Sequence, residues 1–132
     1  MAAKKKGGSA PSVCAAGGGE QQPISIRVRP ADVIEFEAWM CSTAADIEAE
    51  ITASSGATQP FLSERGASHV KATLPSLAAG QHALVWTFMF VSSPWQTRTE
   101  VAVNGVNRFR QRKADTSKKA VNRGFLIVEV VP

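Results

Sequence analysis

The chain is poor in the groups on which most enzymes and metal proteins depend. Its 132 residues include only two histidines and two cysteines. His69 and His82 both open apolar-periodic segments, and no Cys/His cluster has zinc-ligand spacing. Cys14 lies in a Gly/Ala stretch and Cys41 at the end of an apolar segment, so two free thiols in a reducing compartment are expected. There is no GxSxG elbow, P-loop, HExxH pair or dinucleotide fingerprint. Cys41 is the sole candidate nucleophile, and nothing in the sequence sets a histidine beside it. The acids Glu35, Glu37, Asp46, Glu48 and Glu50 recur at alternating positions, which suits a solvated strand face better than a cation site. The expectation is a non-enzymatic protein with no catalytic residue, no metal and no cofactor.

Long hydrophobic runs are missing too. The longest, ALVWTFMFV at 83–91, falls far short of the ~20 residues that a membrane helix needs. The N-terminal MAAKKKGGSAPSVCAAGGGEQQP has lysines but no apolar core, unlike a secretory leader. Val13-Cys14 has the outline of a lipoprotein site without the hydrophobic stretch that precedes one. The expected location is the cytoplasm, with export without a cleaved signal left open. One domain is expected at this length, burying roughly two thirds of its unfolded surface.

What is present is a period of two. Residues 1–22 are rich in Gly, Ala, Ser and Lys and read as a flexible tail. From Pro23 to Pro132 the alternation predicts strands. ISIRVR sets Ile24, Ile26 and Val28 against Ser25, Arg27 and Arg29; VIEFEAWM sets Ile34, Phe36, Ala38 and Met40 against Glu35 and Glu37. DIEAEITA and SHVKATL continue the pattern, and FLIVEVV closes the chain. Asn104-Gly105, between two β-rich runs, predicts a type I′ hairpin because both central residues need positive φ. About eight short strands predict an all-β fold: a two-sheet antiparallel β-sandwich, immunoglobulin-like or related, over 23–132.

LPSLAAGQHALVW, with Leu74, Leu77, Gly80, His82, Leu84 and Trp86, resembles the corner before the sixth strand of immunoglobulin and fibronectin type III domains. In those families a Leu, a Gly and a Tyr in similar spacing lead into a buried strand. His82 stands where the corner Tyr would be, and Leu84 where an immunoglobulin domain has its second cysteine. The resemblance covers about thirteen residues and implies architecture, not function.

Three candidate surfaces follow. First, the 82–91 strand is apolar on both faces, with Leu84, Trp86, Phe88 and Phe90 on one and Ala83, Val85, Met89 and Val91 on the other. The last strand repeats this, with Phe125, Ile127 and Val131 against Leu126, Val128 and Val130. A sheet covered on one side only should show a polar outer face. Val85, Met89, Val91, Leu126, Val128 and Val130 are therefore the expected contacts for a protein partner or a second copy. Cover from within the chain is the alternative.

Second, the net charge of +4 is concentrated: Arg108, Arg110, Arg112, Lys113, Lys118, Lys119 and Arg123 face one acid, Asp115, whereas 23–106 hold eight acids and five cations. With a two-residue turn, Val101 would pair with Arg108 and Thr99 with Arg110, and the three arginines would line one face ~7 Å apart. Such a stripe suits nucleic acid or another anion, with Lys4 to Lys6 as an added arm. A charged guard on a sheet edge predicts the same residues. No aromatic interleaves with them to stack bases. Third, Trp95 in the turn SSPWQT is the candidate for an exposed sugar platform, while Trp86 reads as core and Trp39 as half exposed.

Overall fold

The alternation becomes nine strands among the residues that the computed structural model describes, which are Cys14, 20–41, 43–90, 95–115 and 121–132. They are β1 (Ser25–Val28), β2 (Ile34–Met40), β3 (Ala45–Ala53), β4 (Thr58–Ala67), β5 (His69–Thr73), β6 (Gly80–Phe90), β7 (Trp95–Val103), β8 (Val106–Asp115) and β9 (Val121–Val130). A five-stranded sheet, in the order β1-β9-β6-β3-β4, packs on a four-stranded sheet, in the order β5-β2-β7-β8. β1 runs parallel to β9, and the other neighbours are antiparallel. The fold is a two-sheet β-sandwich.

Its core is the set of inward positions that the period of two marks out. Phe36 and Val101 from one sheet meet Ile47, Leu84, Trp86, Phe88, Leu126 and Val128 from the other, all fully buried. Each such side chain contributes ~1.5–3 kcal/mol of burial. Trp86 lies against Phe36 and Phe109, with ring centroids 5.5 and 5.6 Å away.

β4 is the strand that the sequence hides. TQPFLSERGA does not alternate, contains Pro60 and is exposed at most positions, as an edge strand permits. Its ladder with β3 is broken twice by register shifts, and Asp46 accepts the backbone N–H of Gly66 (φ 58°) at 2.8 Å. Trp95 and Gln96, expected in a turn, instead begin β7.

The Asn-Gly hairpin forms as its sequence demands: Asn104 and Gly105 have φ of 50° and 82°, and Val103 pairs with Val106. The Asn104 side chain donates to Asp32 (2.9 Å) and accepts the Val33 N–H (2.9 Å), tying the hairpin tip to the β1–β2 turn. Beyond the Ala102–Asn107 pair the expected register fails. A bulge between Val101 and Ala102 shifts the ladder, so Val101 faces Phe109 and Thr99 faces Gln111. Phe109 thereby turns into the core, and Arg108 falls in the irregular stretch.

The β6 corner is tied by a side-chain bond. His82 is buried and its Nε2 donates to the carbonyl of Ala78 at 2.8 Å, four residues upstream. A corner Tyr makes the same kind of bond back to its loop.

The expectation of two free thiols is overturned. Cys14 and Cys41 form a disulfide across 27 residues of sequence, with Cα atoms 6.3 Å apart. Cys41 follows β2 beside β7, where its N–H donates to the Gln96 carbonyl, and Cys14 is buried at the same place. A second anchor lies at Gln21, which exchanges two backbone hydrogen bonds with Arg110 (2.9 and 2.7 Å) and so covers part of the β8 edge. No helix among the described residues is long and apolar enough to cross a membrane.

Candidate interaction faces

The inward core of the five-stranded sheet fixes what its outer face must show. On β6 the outward residues are Ala83, Val85, Thr87 and Met89; on β9 they are Val121, Arg123, Phe125, Ile127 and Glu129. Register sets them side by side: Ala83 with Ile127, Val85 with Phe125, Thr87 with Arg123, Met89 with Val121. Phe125 is 62% exposed, Val121 52% and Met89 37%, around the half-buried Val85 and Ile127. An apolar stripe of large side chains therefore stands in water on a regular sheet. Polar residues flank it. On β3, Asp46, Glu48 and Glu50 lie beside Met89, Thr87 and Val85; beyond β9, Arg27 and Glu129 form an ion pair at 3.2 Å.

Of the contacts expected from sequence, Val85 and Met89 are on this face. Leu126, Val128 and Val130 are not: they point into the core, and Phe125 and Ile127 take the outer positions instead. With both faces of β9 apolar, alternation alone could not say which face was outer. Val91 lies outside the described residues.

The outer face of the four-stranded sheet is polar and internally paired. Trp39 is flanked by His69, stacked at 5.2 Å, and by the Arg98 guanidinium, 5.6 Å from the ring centre. His69 bonds Glu37 at 2.7 Å. Glu100 accepts hydrogen bonds from Arg98 (2.7 Å), Arg110 (3.1 Å) and Asn107 (3.2 Å). Burial alone pushes the Glu100 carboxyl up, but the two guanidiniums and the Asn107 amide outweigh it and hold the group below the usual carboxylate range. A depressed folded value means stability that is fully present above the unfolded value near 4.5 and lost as pH falls through the folded one. The urea midpoint should accordingly fall with acidification below about pH 4.5. Glu100→Gln should show a flatter profile over that range; identical slopes in the two proteins would refute the assignment.

The expected basic stripe is dispersed. Arg110 is engaged by Glu100, and Arg112 stands opposite Arg98 on β7. Arg108, displaced by the bulge, donates to the Arg27 carbonyl at 3.4 Å across the sandwich edge. Lys113 donates to Asn122 and to the Arg123 carbonyl, and burial lowers its pKa. Arg123 projects from the opposite sheet. Lys118, Lys119 and Lys4 to Lys6 lie outside the described residues. Trp95 is also corrected: it is 3% exposed and stacks on Phe90 at 4.5 Å, so it offers no platform. Its Pro-preceded position in SSPWQT signals a turn, yet stacking on Phe90 holds the ring inside.

Two features had no flag in the sequence. One is the bulge, which no residue type announces. The other is Gly124, whose lack of a side chain leaves room for Trp86. No known family model matches the chain, and no curated protein matches it.

Proposed function

We propose that the chain is a non-enzymatic interaction module, an immunoglobulin-like or related sandwich, that docks on protein through the outer face of its five-stranded sheet. The observation carrying this is the set of exposed apolar side chains on one sheet face, Phe125 with Val85 and Ile127, and Met89 with Val121 beyond the Thr87–Arg123 row. At ~25 cal/mol per Å², covering such side chains is worth several kcal/mol, and patches of this kind mark contact surfaces. The immunoglobulin-like assignment draws support from the His82–Ala78 corner bond. The Cys14–Cys41 disulfide favours an oxidising compartment over the cytoplasm that free thiols implied. Nucleic-acid binding through 106–123 is the competing reading, and the scattering of its described cations, Arg108, Arg110, Arg112, Lys113 and Arg123, over two sheets and an edge weighs against it.

A photo-reactive residue at position 125 or 89 tests the proposal. Both positions should yield the same protein adduct, and position 39 on the other sheet should not. Adducts with oligonucleotide at position 112, and none with protein at 125, would overturn it in favour of the basic segment.

A further inference from the structure

Resting on that reading, we infer that the occupant of the face is a second copy of this chain, related by a two-fold axis running along the strands between β6 and β9. The face is self-complementary about such an axis, as an isologous interface requires. Such an axis lays β9 over β6 of the second copy while keeping each residue at its own level along the strands. Cross-strand partners within one chain then become facing partners between copies. Phe125 meets Val85 of the second copy, Ile127 meets Ala83 and Val121 meets Met89. Each contact sets a larger side chain against a smaller one, as interdigitating sheets ~10 Å apart require.

Charge follows the same operation. Glu48, Thr87 and Arg123 form one row across β3, β6 and β9. Neither Glu48 nor Arg123 has an ion pair among the described residues. The axis places Arg123 over Thr87 of the second copy, one strand from that copy's Glu48, and the reciprocal pair forms on the other side. The four strands β1, β9, β6 and β3 present a footprint on the order of 600 Å² per copy, or roughly 1,200 Å² in total. That reaches the lower bound of specific interfaces.

Light scattering and sedimentation of the full chain, with its disulfide intact, test the inference. Wild type should be a dimer. Phe125→Glu should weaken it at least ~30-fold, as loss of a central anchor does. Arg123→Glu and Glu48→Arg should each weaken it ~10-fold by opposing like charges, and the two together should restore affinity to within ~3-fold. A wild-type monomer up to ~1 mM, weaker than any specific contact of this size, would overturn the second copy as occupant while leaving the adduct test of the face standing. A dimer indifferent to Phe125→Glu would place self-association on another surface and overturn the second copy as occupant, again leaving the adduct test of the face standing. A dimer lost in Phe125→Glu but not rescued by the paired charge swap would overturn the axis proposed.

Discussion

Gly124→Ala is expected to be among the most damaging single substitutions in the molecule, although it adds one methyl group. Gly124 lies opposite Trp86 on the inner face of β9, and a Cβ there would fall inside the Trp86 indole. The ring cannot step aside freely, because Phe36 and Phe109 hold it at 5.5 and 5.6 Å. Overpacking a core costs ~1–3 kcal/mol where neighbours can give, and more where they cannot. We expect a loss of ~3 kcal/mol or more, seen as a melting temperature lower by ~10 °C. Trp86→Leu in the same chain should recover part of the loss by vacating the space. A Gly124→Ala protein that melts with wild type would show that the indole does not occupy that position.

Reduction of the Cys14–Cys41 bond is expected to cost about as much by a different route. Opening a loop of 27 residues returns roughly 3–4 kcal/mol of chain entropy to the unfolded state in the loop-closure model. Cys14→Ser should therefore lower the melting temperature by ~10 °C, and a reductant should bring wild type to the same value. Adding the reductant to the Cys14→Ser protein should change nothing further. If reduction left the wild-type melt in place, the bond would be a surface ornament, at odds with the burial of Cys14.

Most of the sandwich was legible because its central strands obey one rule. Acids at 35 and 37 on β2 and at 46, 48 and 50 on β3 mark the outer faces, so the inward faces are legible without ambiguity, and Phe36 and Ile47 are fully buried. For β9 the sequence marks a strand, but the outer face expected from it, Leu126, Val128 and Val130, is the inner one. Leu126 and Phe125 differ little in hydrophobicity, and only the geometry of the sheet decides that one is buried and the other 62% exposed. The hairpin turn was legible from two residues, whereas the bulge three residues away was not. Its effect is large: it turns Phe109 inward and sends Arg108 to the sandwich edge. Cys14 and Cys41 were misread for a related reason, since spacing in sequence carries no information about a contact between a terminal segment and the end of β2. Trp95 shows the limit of local signals, because a turn-like context was overridden by stacking on Phe90.

The central claim is that the outward apolar residues of β6 and β9 serve association and not stability. Thermal melting and solution mass of Phe125→Glu, measured side by side with wild type, address it most directly. The variant should melt within a few degrees of wild type and have a mass reduced to that of one chain. A melt lowered by tens of degrees, with the mass unchanged, would mean that Phe125 is covered by its own chain and that the face is core.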